Sequence, residues 1–149
     1  MAFDIVTLAS SIAALTISGV TVQDLDETKD AVDPRTCPVL RPYPQAGFEI
    51  TELSDESMGS TAARKNLRYE VTYALFYAPV GMERGMHVIL PGMWAAASRV
   101  MTVLRNNDAL TGSIDIRPTN VRQAGILLDP SDKEFHGVLF RLAVLEFTD

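Results

Sequence analysis

Between Leu67 and Tyr77 every second residue is apolar or aromatic: Leu67, Tyr69, Val71, Tyr73, Leu75 and Tyr77, with Arg68, Glu70 and Thr72 on alternate positions. A strict period of two sends successive side chains to opposite sides of an extended chain, which no helix does. The segment is therefore a half-buried strand, ended by Ala78-Pro79, and the rest of the chain must supply a sheet around it and a cover for its apolar face. Upstream, Gly47-Phe48-Glu49-Ile50-Thr51-Glu52-Leu53 alternates in the same way. The two strands are expected to pair as an antiparallel hairpin. Residues 54–63, small and polar around Gly59, form its loop, expected to be mobile until a neighbour orders it.

The N-terminal cover is legible. Ile5, Leu8, Ile12 and Leu15 recur at helical spacing, Asp4 can cap the start, and Gly19 can supply a left-handed stop. Val20-Thr21-Val22 reads as a short strand. A second helix is expected within 83–107, with Val88, Trp94, Ala97, Met101 and Leu104 as its stripe; Pro91 either opens a helix running to Asn106 or bends a longer one, and the first is favoured. Two further strands follow at 114–117 and 121–128, before the Asp129-Pro130-Ser131-Asp132 turn. Residues 138–147, apolar on both faces, read as a central strand covered on both sides. The order α, about four strands, α, about three strands predicts a single α+β domain over 1–149, with a mixed, mainly antiparallel sheet and two principal helices. Leu67, Tyr69, Val71, Trp94, Val138, Phe140 and Leu142 are expected in its core.

Charge is unevenly placed. Residues 23–56 hold nine acids (Asp24, Asp26, Glu27, Asp30, Asp33, Glu49, Glu52, Asp55, Glu56) against three bases (Lys29, Arg35, Arg41), which accounts for the whole net charge of −6. Residues 64–122 hold eight bases against four acids, or +4. Residues 26–46 read as an acidic loop running into a stiff proline-rich arm, Cys37-Pro38-Val39-Leu40-Arg41-Pro42-Tyr43-Pro44, projecting toward a partner. Such a division of charge allows acidic and basic portions to meet across subunits, or acid to line a passage for something anionic.

The chain carries little that points to catalysis. Asp24, Asp26 and Asp30 fit positions 1, 3 and 7 of a calcium loop, but Lys29 stands where that loop needs glycine and Arg35 where it needs a bidentate glutamate. The single Cys37 excludes an intramolecular disulfide and a multi-cysteine metal site. No nucleophile elbow or phosphate-binding glycine loop occurs. No metal, cofactor or catalytic residue is expected. The N-terminal apolar run lacks a preceding positive charge and is broken by Thr7, Ser10 and Ser11, so neither a secretory signal nor a membrane span is expected there.

An N-terminal helix, GVTVQDLDE, the arm CPVLRPYP, the hairpin GFEITELS…LRYEVTYALFY, a second helix and C-terminal strands together resemble the tail-terminator proteins of long-tailed bacteriophages. The similarity covers nearly the whole chain and is one of pattern, not of a diagnostic motif. It implies a structural virion protein, made in the host cytoplasm and resident at the head-tail junction. There it would form a ring, typically a homohexamer, that caps the tail tube and docks the head or neck. Its partners would be further copies of itself, the tail tube protein and a head-completion protein, with DNA only as passing cargo, no membrane and no enzymatic activity. Candidate lumen or subunit-interface residues are Asp24, Asp26, Glu27, Asp30, Glu52, Asp55 and Glu56 on the acidic side, with Arg64, Lys65 and Arg68 on the basic side. Another neck component of the junction, a monomeric binding module using the tyrosine strand, and a small enzyme around His87, Glu83 and Asp115 are the competing readings.

Overall fold

In the computed structural model, which describes residues 4–43, 49–54, 65–81 and 85–148, the elements run α1 (Ile5–Ala13), β1 (Thr21–Val22), β2 (Val39–Pro42), β3 (Glu49–Ser54), β4 (Lys65–Pro79), α2 (Met86–Asn106), β5 (Ile114–Leu128) and β6 (Glu134–Thr148). Two single-turn 3-10 helices, Leu25–Glu27 and Pro34–Thr36, lie between β1 and β2. The six strands form one sheet in the order β1-β2-β4-β6-β5, with β3 also on β4. β1 and β2 are parallel and every other pairing is antiparallel. This is the single α+β domain with a mixed sheet and two helices that the pattern predicts.

β4 is the spine. β3 pairs with its first half, Glu49 opposite Glu70 and Leu53 opposite Leu67, and β2 with its second, Pro42 opposite Tyr73 and Val39 opposite Phe76. β6 runs along its other edge over nearly its full length. The alternation in β4 is realised as rows across the sheet. Tyr69, Val144 and Ile116 make one inner row, and Val71, Leu142 and Pro118 the next. α1 and α2 cover this face through Leu8, Ile12, Ile89, Met93, Ala96, Ala97, Val100 and Leu104, all buried.

Four expectations are corrected. α1 ends at Ala13, short of Gly19; that glycine takes φ 72° in a tight turn where the Val20 N–H donates to the Ile17 carbonyl at 3.1 Å. The proline-rich arm does not project: Val39, Leu40, Arg41 and Pro42 are all buried as β2, because the apolar residues between the prolines fill a gap beside β4. Residues 114–128 form one strand instead of two. β5 lies at the end of the sheet, where Pro118 can omit a ladder hydrogen bond, and irregularities at Pro118/Asn120 and Gln123/Ile126 absorb the misfit.

The fourth correction concerns α2. Pro91 sits inside the helix, not in its first turn, and the carbonyl it deprives of a donor belongs to exposed His87. Trp94 and Val88, expected in the core, are exposed, at 41% and 49%. The cause is close approach of helix to sheet. A Cβ at Gly92 would overlap the Tyr77 hydroxyl, so the small residues Gly92, Ala96 and Ala97 face the sheet with Ile89, Met93, Val100 and Leu104, and Val88 and Trp94 fall on the outward side.

β6 is central, between β4 and β5, as its composition predicts. Its outer face, however, is covered among the described residues only at one end, where Phe135 and Leu139 pack with Val32, Ala74, Phe76 and Leu127. Residues 55–63 of the expected hairpin loop lie outside the described residues.

Candidate functional site

The acidic segment begins as a set of caps. Asp24 Oδ1 accepts from the Leu25 N–H at 2.7 Å while Glu27 Oε1 accepts from the Asp24 N–H at 3.1 Å, a reciprocal capping box. Asp33 caps the next turn, accepting from the Arg35 N–H at 2.9 Å, with Pro34 in the first helical position. Three of the five acids in this run are thus committed to local backbone donors, which leaves Asp26 and Asp30 as exposed charge.

Two buried polar residues hold the segment on the domain. Arg41, 2% exposed, donates from Nη2 to the Lys29 carbonyl at 2.6 Å and stacks over the Phe76 ring, 5.6 Å from its centroid. Burial pulls its pKa below the usual arginine range, opposed by Asp129 and Asp30. Asp129, 1% exposed in the β5–β6 turn, accepts from the Val32 N–H at 2.9 Å, the Ser131 N–H at 3.0 Å and hydroxyl at 2.6 Å, and the Lys133 N–H at 2.9 Å. Burial alone would raise the Asp129 pKa; the Ser131 hydroxyl and the three N–H donors outweigh it and hold the carboxyl below its usual range. The segment therefore wraps the β1–β2 edge, packing its first turn near α1 and tucking Val32 under the outer face. A cleft of about 360 Å³ lined by Gln23, Asp26, Glu27, Lys29, Asp33 and Arg41 opens beside it.

Beyond the end that Val32 covers, the outer face is rich in arginine. Outer rows run Arg68–Leu145–Asp115, Glu70–Ala143–Arg117, Thr72–Arg141–Asn120 and Ala74–Leu139–Arg122. Arg141 pairs with Glu70 at 3.6 Å. Among the described residues Arg105, Arg117 and Arg122 have no ion-pair partner. A groove of about 800 Å³ crosses this face, lined by Arg68, Arg105 and Arg117 together with Glu70, Asp108 and Asp115.

Of the sequence candidates, Asp24, Asp26 and Glu27 lie together in the turn after β1, Asp30 lies farther along, two residues before Val32, and Arg68 lies on the outer face of β4. Glu52 is opposite Arg68 in the β3–β4 ladder and Lys65 opposite Thr148 in the β4–β6 ladder. Asp55, Glu56 and Arg64 lie outside the described residues. Sequence reading missed Asp129, whose Asp-Pro-Ser-Asp turn is visible in one dimension but whose bond to Val32 is not. It also missed Glu146, a buried carboxylate (3% exposed) that accepts from the Tyr69 hydroxyl and from the Asp4 N–H, tying β6 to the start of α1.

Two of the competing readings, the tyrosine module and the small enzyme, find their named residues buried or apart, and Glu83 of the latter lies outside the described residues. Tyr69 and Tyr73 are buried in the core, where burial raises both phenol pKa values, so β4 offers no tyrosine platform. His87 is at the start of α2, whereas Asp115 lies beyond its end, bridged to Ala109. The 21 residues of α2 separate them by about 30 Å. Burial, with Asp33 nearby, pushes the Cys37 thiol up to about 11, which keeps it protonated at neutral pH and a poor nucleophile. Among the described residues no group of three or more His, Cys, Asp or Glu could hold a metal.

α2 is long and apolar enough by composition to cross a membrane. Six of its residues are nevertheless spent on the core. Its outward flank divides in two: Met86 (47% exposed), Val88, Pro91, Trp94 and Ala95 toward the start, then Ser98, Arg99, Thr102 and Arg105 toward the end. No protein-family model matches this chain, and no curated protein sequence does either.

Proposed function

We propose that this chain is a structural subunit of a closed ring at the head-tail junction of a long-tailed bacteriophage, the tail terminator that caps the tail tube and presents a surface to the head. The observation that carries the reading is the exposure of large apolar side chains on α2. Met86, Val88 and Trp94 all stand exposed in its first half, around exposed His87, on a domain whose core is already filled, and large apolar side chains gathered on one helix suit a protein contact. The architecture agrees with the resemblance along the chain: N-terminal helix, short strand, acidic crossover, long hairpin, second helix and C-terminal strands. Its partners are further copies, most simply six, the tail tube protein and a head-completion protein, with DNA passing through the lumen.

Trp94 is the only tryptophan, so its fluorescence reports on this flank alone. Titration from dilute to millimolar protein, and onto purified tail-tube ends, should shift its emission to shorter wavelength, and electron microscopy should show rings at the tube ends. A chain that stays monomeric at millimolar concentration and leaves tube ends bare would refute the terminator role.

A further inference from the structure

The acidic segment starts at the β1 edge with exposed Asp26 and runs past exposed Asp30 onto the outer face, where Val32 meets Asp129, while exposed Arg117 and Arg122 lie on β5 and Arg105 at the end of α2 beside it. Four interstrand steps separate the β1 edge from β5, about 19 Å. Among the described residues, the acidic segment offers Asp26 and Asp30 without an ion-pair partner, and the β5 side offers Arg105, Arg117 and Arg122 without one.

The groove on the basic side is not a polyanion track. Its three arginines alternate with Glu70, Asp108 and Asp115, and carboxylates at that density repel a phosphate backbone. The groove is balanced, three against three, and Arg122 farther along β5 tips this side toward arginine; such mixed charge suits instead a protein surface whose own charge is mixed with an acidic excess. The acidic segment is such a surface: Asp24, Asp26, Glu27, Asp30 and Asp33 stand against Lys29 and Arg35, or −3.

We infer that the β5 side of one copy, through Arg117 and Arg122, receives the acidic segment of a second copy through Asp26 and Asp30. The two surfaces are different patches of the chain, so the contact is heterologous, the kind that propagates and can close into a ring. The inference rests on the ring reading for its biological setting, but the contact itself is tested separately. Arg41 and Asp129 become positioning residues here, because they fix the segment that the neighbour meets.

The test uses two full-length variants, Arg117→Glu/Arg122→Glu and Asp26→Lys/Asp30→Lys, with unchanged far-ultraviolet circular dichroism required of each. Self-association is measured by sedimentation velocity at low and high salt. Each variant alone should associate at least about tenfold more weakly than the parent, because its contact now opposes like charges. Mixed one to one, they should associate as the parent does: in an alternating ring every charge-reversed β5 edge meets a charge-reversed acidic segment, and every unaltered edge meets an unaltered one. Association that neither variant weakens, a mixture that fails to recover, or a parent that never self-associates would overturn the contact. Recovery with particles that are closed dimers by electron microscopy would sustain the contact and refute the ring. Rings indifferent to both reversals would do the opposite.

Discussion

The two faces of the sheet are made by the same strands and have opposite fates. On the inner face, Tyr69, Val71, Phe140, Leu142, Val144 and Ile116 interlock beneath two helices. One residue along each strand, Arg68, Glu70, Arg141, Ala143 and Arg117 make an outer face that, among the described residues, only the Val32 cluster covers, at one end. A period of two guarantees that such strands have two chemistries, but not that both are used for folding. Here one face builds the domain and the other is left to contacts between molecules.

Adjacent residues of β6 test that division most sharply. Phe140→Ala should destabilise the domain by about 3–5 kcal/mol by chemical denaturation, since its ring is fully enclosed. Arg141→Ala, which loses only the half-exposed pair with Glu70, should cost under about 0.5 kcal/mol. Comparable costs at the two positions would erase the distinction between the faces.

Asp129 probes the covered end of the outer face. Asp129→Ala leaves the Val32, Ser131 and Lys133 N–H groups without their acceptor and should cost about 1–3 kcal/mol. The sign of its pH dependence follows from the depressed pKa. The folded state holds this proton less tightly than the unfolded chain, so the stabilisation is complete above the ordinary carboxylate range of about 4 and fades as pH falls through the lower folded value. Asp129→Asn should flatten this component of the acid limb of the stability curve; an unchanged acid limb would show that other carboxylates dominate it.

Smaller effects on folding are expected where effects on assembly are greatest. Trp94→Ser should change subunit stability by no more than about 0.5 kcal/mol while weakening self-association measured by light scattering. A large loss of stability would mean that the flank belongs to the core after all. Neutralising Asp26 and Asp30 together should leave the melting temperature almost unchanged and alter the salt dependence of association, because exposed charges are screened and contribute little to folding. A melting temperature that moves instead would assign those acids to the fold.

The alternation from Leu67 to Tyr77, the stripe of α1, its Asp4 cap and the apolar run of β6 are all readable in one dimension because each is a local period that secondary structure translates directly into a face. These features suffice to specify an α+β domain with a mainly antiparallel sheet and two helical covers. Other assignments depend on what comes alongside. Val39 to Pro42 looks like an arm until β4 is beside it, and Trp94 looks like core until the Tyr77 hydroxyl meets Gly92. Asp24, Glu27 and Asp33 read as free charge until their backbone donors are in place. The bond from Asp129 to Val32 spans 97 positions in the chain. Where the acidic segment lies relative to the β5 arginines follows from strand order and from that bond together. Strand order is set by long-range pairing and by the volume available between helix and sheet, neither of which leaves a period in the sequence.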